Sequence, residues 1–205
     1  MSANDSQEVN EKLTEIISQI DQTKIEDAAN CVSFAGKGLK LDKEEDAKPI
    51  ADEVEACKEL KTINLEGNTL GIDAAKAIGK VLETKSTLTN ALLKDLFTGR
   101  LKTEIPEAVN NLSAGIIKSN CRLTVLDLSD NAFGPIGMKS VLPFLKSESC
   151  KSLQVLRLNN NGLGIGGGKL LANALVDLKS LKVFICGRNR LENDGSIEIG
   201  KSLST

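Results

Sequence analysis

The stretch of residues 97–106, FTGRLKTEIP, has the most direct chemical potential in the sequence because it presents two basic side chains among turn-forming residues. The guanidinium of Arg100 can bind a phosphate or a carboxylate through two parallel hydrogen bonds, and Lys102 adds a second cation. Functional residues are frequent on loops that a rigid scaffold positions. A solvated arginine is the alternative, and this stretch alone does not decide between the two.

A second set of polar side chains lies further along the chain and carries mixed charge. Its candidate contact residues are Asp127, Asp130, Asn160, Arg188 and Arg190. A mixed-charge surface suits a protein partner, with solvation as the alternative. The chain has no histidine, which excludes Ser-His-Asp and Cys-His catalysis and any zinc site that needs imidazole. No metal site is expected.

The glycine run at residues 162–167 matches the GxGxxG spacing of dinucleotide-binding turns. No convincing ribose-binding carboxylate follows it. Just beyond the run, Leu170 stands where a phosphate-binding loop needs Ser or Thr for magnesium. Because other turns of the chain are also glycine-rich, we interpret the run as structural. A nucleotide-binding enzyme would require it to bind phosphate directly.

The elements that must position these residues come from an internal repeat. The pattern LxxLxLxxNxL begins at Leu60, Leu123 and Leu153, and weaker copies begin at Leu88 and Leu181. The starts step by 28, 35, 30 and 28 residues, which is typical of leucine-rich repeats with a helix opposite each strand. The pattern predicts an α/β leucine-rich-repeat solenoid: a ribonuclease-inhibitor-like crescent with parallel strands inside and helices outside.

The asparagine of each pattern is predicted to be structural, with its side-chain amide satisfying backbone groups of the turn. These asparagines are Asn68, Asn131, Asn161 and Asn189. Asn160 lies one residue before the periodic position, which leaves it free to face outward. The 35-residue step contains about seven extra residues, so residues 97–106 are expected on a loop at one rim of the solenoid.

The domain organisation follows from the same periodicity. Residues 1–30 contain apolar residues at helical spacing and are predicted to form an N-terminal helical cap. Residues 31–205 are predicted to form the leucine-rich-repeat domain, with about six strands. The helices are expected at roughly 44–58, 72–84, 106–119, 136–147, 166–179 and 194–203. We expect this domain to be truncated at its C-terminal end, because no polar repeat covers the last helix.

Charge and apolar content exclude further classes of protein. The 26 basic and 28 acidic residues give a net charge of −2, which leaves no polybasic field for nucleic acid or an anionic membrane. No apolar run of 18 residues occurs, so membrane insertion is not expected. The five cysteines are dispersed, which indicates reduced thiols and a soluble intracellular protein.

Four motifs, in this order and spacing, resemble the Ran GTPase-activating protein family. They are FTGR followed by EIP within residues 97–106, LSDNAFG at 128–134, NNG at 160–162 and GRNRLE at 187–192. The resemblance covers roughly residues 32–199. One departure lies beside the loop, where the family usually has an aromatic residue, Ser and Asp and this chain has LKDL at 93–96.

The resemblance implies a GTPase activator that is not itself an enzyme. Such a protein binds the small GTPase Ran in its GTP state and stimulates GTP hydrolysis, which supports nucleocytoplasmic transport. The resemblance also implies that Asn160 helps to position the catalytic glutamine of Ran, and that Arg100 is needed without entering the active site as a finger. The residues expected to contact the partner are Lys102, Asp127, Asp130, Arg188 and Arg190.

Further expectations follow from the same resemblance. No cofactor of its own is expected, because the chain would act on the Mg-GTP held by Ran. A Ran-binding protein is a further expected partner, and the expected location is the cytoplasm, including the cytoplasmic side of the nuclear envelope. The alternative function is a non-catalytic leucine-rich-repeat scaffold that binds and occludes a protein.

Overall fold

Each repeat contributes one short strand to a six-stranded parallel sheet in the computed structural model, which describes residues 28–204. The strands in chain order are β1 (Cys31–Ser33), β2 (Lys40–Leu41), β3 (Thr62–Asn64), β4 (Thr69–Leu70), β5 (Asn90–Leu92), β6 (Val125–Asp127), β7 (Val155–Arg157) and β8 (Val183–Ile185). The main sheet has the order β1-β3-β5-β6-β7-β8, and β2 pairs with β4 in a second parallel sheet. The predicted leucine-rich-repeat fold is confirmed.

A helix follows each of the six repeats and packs behind the sheet, as the sequence pattern predicts. The helices are α1 (Glu44–Ala56), α2 (Ile72–Leu82), α3 (Ile105–Lys118), α4 (Gly134–Leu145), α5 (Gly164–Leu175) and α6 (Glu192–Leu203). Their ends lie within four residues of the expected positions. The largest difference is at the end of α5, which stops at Leu175 although apolar residues continue to Leu178.

The core lies between the sheet and the helices. The middle residues of adjacent strands are paired in register, Ile63 with Ala91 and Leu126 with Leu156, and all four are fully buried. Apolar helix residues such as Ile78 close this layer from behind. Burying a side chain of this size stabilises the fold by about 1.5–3 kcal/mol, so the stacked repeats support one another.

The asparagines form a ladder along the turns that follow the strands. The backbone N–H of Asn131 donates to Oδ1 of Asn161 at 3.0 Å, and the N–H of Asn161 donates to Oδ1 of Asn189 at 2.8 Å. The Nδ2 group of Asn161 donates to the carbonyls of Leu128 and Asn159. Asn68 makes equivalent contacts to the first turn, and all four side chains are buried. The ladder is therefore structural, as predicted.

The predicted N-terminal cap falls mostly on residues 1–27, which lie outside the described part of the chain; residues Ala28–Asn30 form a short 3-10 turn before β1. All five cysteines are free thiols. Burial raises the pKa of Cys150 to about 12 and that of Cys186 to about 11, so neither is an activated nucleophile. Within residues 28–204, no helix is long and apolar enough to span a membrane.

Candidate functional site

One position in every turn has a left-handed backbone, and Asn160 occupies it. In four repeats this position immediately precedes the ladder asparagine, and φ there is 72° at Gly67, 59° at Asp130, 52° at Asn160 and 55° at Arg188. In the repeat that lacks a ladder asparagine, the same position is Asp95, with φ of 52°. Glycine, asparagine and aspartate tolerate this conformation better than other residues. The side chains of the later repeats therefore project side by side from the rim of the solenoid, next to a rigid ladder.

The side chain of Asn160 is exposed and held at one end. Its Nδ2 donates to Oδ1 of Asp130 at 2.9 Å, across one repeat. Its backbone N–H donates to the carbonyl of Gly187 at 2.9 Å. The expectation that Asn160 faces outward while Asn161 is buried is therefore confirmed.

Lys94 connects Asp130 to the preceding repeat. Its Nζ lies 3.1 Å from Oε1 of Glu66 and 3.7 Å from Oδ2 of Asp130. The hydrogen bond with Glu66, followed by the charges of Glu66 and Asp130, raises the pKa of Lys94 above its ordinary value. Lys94, where the chain departs from the family pattern, thus lies between the carboxylates of Glu66 and Asp130. Asp130 in turn contacts Asn160.

A groove of about 650 Å³ runs along this rim. Its lining residues are Ala35, Gly36, Glu66, Gly67, Lys94, Asp95, Thr98, Asp130 and Asn160. The first two turns carry glycine at the left-handed position, so no side chain fills the groove there. A segment of a partner that approaches Asn160 from this side therefore meets no side chain at these two positions.

The side chain of Arg100 points into the chain. Its guanidinium makes an ion pair with Asp42, donates to the carbonyl of Thr69 at 2.9 Å, and is 13% exposed. The hydrogen bond from Arg100 is the main reason why the pKa of Asp42 lies below its ordinary value. The idea that this arginine reaches a partner directly from its loop is therefore wrong for this structure; the inward position agrees with an arginine that does not act as a finger.

The loop that Arg100 anchors also contacts the turn of Asp130. Two residues before Arg100, the hydroxyl of Thr98 donates to the backbone carbonyl of Asp130 at 2.9 Å. Leu101 and Lys102 point outward, with Leu101 67% exposed. Arg100 can therefore influence Asn160 by holding the loop, while Lys102 remains accessible to a partner.

Replacing Arg100 by methionine is expected to lower the free energy of unfolding by about 2 kcal/mol, because Thr69 and Asp42 lose a charged donor. Urea unfolding measures this. The matched variant Lys102→Met, on the same loop but exposed, is expected to stay within about 0.5 kcal/mol of the parent chain. Because the pKa of Asp42 is lowered in the fold, the part of the effect that comes from the Asp42 ion pair is expected at neutral pH and should be lost as the pH falls through that lowered pKa. The part that comes from the hydrogen bond to the Thr69 carbonyl should remain. Equal stability of the two variants at neutral pH would contradict this assignment.

Asp127 does not fit the predicted partner contact. Its carboxylate lies 3.6 Å from the guanidinium of Arg157 and accepts the backbone N–H of Ser129 at 2.9 Å. Its side chain is 13% exposed. The aspartate stabilises the concave face, because strand pairing places it directly beside Arg157.

Arg188 and Arg190 are exposed, and neither makes an ion pair within the described residues. The turn that carries them has left-handed backbone at Arg188 (55°), Arg190 (53°) and Glu192 (53°). The preceding repeat has Asn160, Gly162 and Gly164 at the same places. Left-handed backbone costs a side-chain-bearing residue about 1–2 kcal/mol. These two arginines remain predicted partner contacts.

Replacing Arg190 by glycine is expected to raise the free energy of unfolding by about 0.5–1 kcal/mol, because glycine adopts a positive φ without strain. Thermal or urea unfolding measures this. The control is Arg190→Ala, which removes the guanidinium and keeps the strained backbone, and it should not stabilise the chain. A stabilisation of the same size in both variants would show that charge, and not backbone strain, sets the effect.

The glycine run is explained by packing. A Cβ on Gly167, the last glycine of the run, would lie 2.9 Å from Cβ of Leu163. A Cβ on Gly168, directly after the run, would lie 2.8 Å from Cδ2 of Leu191 and 3.3 Å from Cα of Gly195, so this glycine permits the approach of α5 to α6. Gly162 and Gly164 have positive φ in the turn. In the part of the chain that the structure covers, no group of three or more Cys, Asp or Glu side chains could hold a metal ion.

The sequence pattern missed the partners of Arg100 and the role of Lys94. Asp42 and Thr69 come from turns 58 and 31 residues earlier in the chain, and no spacing rule indicates them. The row of left-handed positions could have been found in the sequence. Gly36 and Gly67 align with Asp130 and Asn160 when the repeats are superimposed, and glycine, aspartate and asparagine are the residues that tolerate a positive φ.

Comparison with known proteins agrees with these features. The family model described as Leucine Rich repeat matches residues 119–142 and 149–172. The chain is 48% identical over 181 residues to Ran GTPase-activating protein 1 of Xenopus laevis, which covers 83% of this chain and 31% of the relative. It is 49% identical over 177 residues to Ran GTPase-activating protein 2 of Caenorhabditis elegans, covering 80% of this chain and 18% of the relative.

A third relative extends the agreement. The Ran GTPase-activating protein of Drosophila melanogaster is 44% identical over 184 residues, which cover 85% of this chain and 31% of the relative. The chain thus spans less than a third of the length of these curated relatives. The similarity nevertheless extends over most of the chain. The chain thus has leucine-rich repeats, and over most of its length it is similar to proteins named Ran GTPase-activating protein.

Proposed function

We propose that this chain stimulates GTP hydrolysis by the small GTPase Ran in its GTP state. The observation that carries the proposal is Asn160, an exposed amide held on a rigid rim at the end of a groove. The names of the relatives support Ran as the partner. The activity would be that of a regulator, because the chain has no histidine and burial raises the pKa of the Cys150 and Cys186 thiols.

The described residues can contribute to hydrolysis by orienting the catalytic glutamine of the GTPase. A small GTPase is slow because its attacking water and glutamine must be oriented while negative charge develops on the γ-phosphate. We propose that Asn160 contacts such a glutamine, and its exposed amide beside the rigid ladder supports this role. Arg100 holds the neighbouring loop, so it acts as a positioning residue and not as a group that touches the phosphate.

The surrounding charges suit a protein partner. Lys102, Arg188 and Arg190 are exposed cations, and they are proposed to pair with carboxylates of Ran. The groove beside Asn160 carries carboxylates of its own, so the rim offers both signs of charge. Such an arrangement favours one orientation of the partner over others.

Single-turnover hydrolysis on GTP-loaded Ran tests this proposal, with and without the chain at micromolar concentration. We expect a large increase in the rate with the parent chain and little with Asn160→Gly. Ran with its catalytic glutamine replaced by leucine should show no stimulation. If the parent chain melts cooperatively and gives no stimulation, the proposal fails; a pull-down with Ran-GTP would then identify a binding scaffold.

The remaining expectations belong to the same proposal. The chain would hold no cofactor and would act on the Mg-GTP bound to Ran. A Ran-binding protein would be a second partner on Ran, and the site of action would be the cytoplasm, including the cytoplasmic side of the nuclear envelope. Hydrolysis there would support nucleocytoplasmic transport.

A further inference from the structure

We propose that Asp130 is a positioning residue that fixes the side-chain amide of Asn160 with its carbonyl oxygen facing outward, and that Lys94 holds Asp130 for this task. The inference rests on the proposed function, in which Asn160 contacts the catalytic glutamine of the GTPase. It departs from the simpler expectation that Asp130 is a partner contact.

An asparagine side chain has a donor end and an acceptor end, and rotation by 180° about its last bond exchanges them. An ionised carboxylate only accepts hydrogen bonds. Because Oδ1 of Asp130 lies 2.9 Å from the amide of Asn160, the end that faces Asp130 must be the NH₂ group. The Oδ1 atom of Asn160 is then the end that a partner meets.

The outward carbonyl oxygen has a chemical use. A glutamine amide also has two ends, and the Oδ1 of Asn160 can accept one N–H of the glutamine of the GTPase. That glutamine would then keep its own carbonyl oxygen for the attacking water. With Asn160 rotated by 180°, two NH₂ groups would face each other, or the glutamine would turn its NH₂ group towards the water. Both arrangements are unproductive.

Asp130 is held from several sides, as such a role requires. Its backbone N–H donates to the carbonyl of Asn159 at 2.9 Å, and its own carbonyl accepts the hydroxyl of Thr98. Its second carboxylate oxygen faces Nζ of Lys94 at 3.7 Å. Lys94 is in turn held by Glu66 at 3.1 Å. The carboxylate therefore has one oxygen for the lysine and the other for Asn160.

The substitution Asp130→Asn tests the inference with little strain, because asparagine tolerates the φ of 59° at this position. The new side chain can donate or accept, so it no longer selects one orientation of the Asn160 amide. If the Asn160 amide occupied its two orientations equally, the rate would fall by about half, and a misplaced catalytic glutamine would lower it by up to about 100-fold. We expect the saturating rate of hydrolysis on Ran to fall about tenfold, with the half-saturating concentration changed less than about twofold.

A matched control and a weaker variant accompany this substitution. Asp194→Asn makes the same change in the first turn of α6, away from the groove, where the side chain is exposed and makes no hydrogen bond or ion pair within the described residues, and it should keep the parent rate. Lys94→Met leaves the carboxylate in place without its cation and should lower the rate about threefold. Parent-like hydrolysis with Asp130→Asn would overturn the inference.

A double substitution separates positioning from a merely structural role. In the Asn160→Gly background, Asp130→Asn should have no further effect on the saturating rate, because there is no amide left to orient. A structural or partner-binding role would give the same tenfold loss in both backgrounds. That additive result would overturn the inference even if the single variant is slow.

A measurement on the free chain distinguishes a failure of this inference from a failure of the proposed function. The side-chain amide signals of Asn160 in nitrogen–proton NMR spectra can be assigned by their loss in Asn160→Gly. They should shift and exchange faster with water in Asp130→Asn, shift less in Lys94→Met, and stay unchanged in Asp194→Asn. Unchanged signals in Asp130→Asn would overturn the inference. A parent chain that does not stimulate Ran would overturn the proposed function instead, and the NMR result would decide the orientation alone.

Discussion

Replacing Asn160 by glycine is expected to lower the saturating rate of GTP hydrolysis on Ran about 100-fold, because a misplaced or missing orienting group costs about this factor. The melting temperature should stay close to that of the parent chain, since glycine tolerates the φ of 52° and the lost side chain is exposed. Single-turnover hydrolysis and differential scanning calorimetry measure the two effects. Alanine is the less suitable replacement, because it would add strain at a positive φ.

The neighbouring residue provides the matched control. Asn161→Ala removes the acceptor of the Asn131 N–H and the donor to the carbonyls of Leu128 and Asn159, all in buried surroundings. Each unsatisfied buried group costs about 1–3 kcal/mol, so this variant should melt much earlier than the parent chain. A destabilised Asn160→Gly together with a stable Asn161→Ala would contradict the assignment of the two asparagines.

The distinction between these two asparagines could be predicted from the sequence because the periodic pattern identifies the buried position. The pattern LxxLxLxxNxL recurs in three repeats, and each copy places its asparagine four residues beyond the end of a strand. Parallel strands in register then bring the asparagines together, and stacking buries them. The same regularity explains why six strands form the main sheet, as predicted, and why the six helices lie within a few residues of their expected positions.

The direction of the Arg100 side chain could not be predicted in this way. The loop that carries it interrupts the period, and its partners belong to turns that are distant in sequence but adjacent in space. For Asp127 the strand position was correctly inferred, but its neighbour in the sheet, Arg157, neutralises it. Charge at a variable position therefore predicts a polar surface, and only the cross-strand register shows which charges are already paired.

Replacing Gly115 by alanine is expected to destabilise the fold by about 4 kcal/mol, at the upper end of what point substitutions do. A Cβ at this position would lie 2.7 Å from Cα of Gly79 and well inside van der Waals distance of the Gly79 carbonyl oxygen. Both residues are in helices, α3 and α2, so backbone must move to make room. Moving α3 away would also open the core around Leu112 and Ile116. Urea unfolding measures the loss.

The control for Gly115→Ala is Gly200→Ala in the last turn of α6, where the added Cβ has no atom within 4 Å apart from the nearby backbone of its own helix and its chain neighbours. This variant should be unchanged or more stable by about 0.5–1 kcal/mol, because alanine is the better helix former. Since α3 begins directly after the loop of Arg100, a partly folded Gly115→Ala chain should also lose stimulation of Ran. Equal stability of the two glycine variants would show that the helices α2 and α3 are further apart than in this structure. The packing of α3 would then not explain how the loop of Arg100 is held.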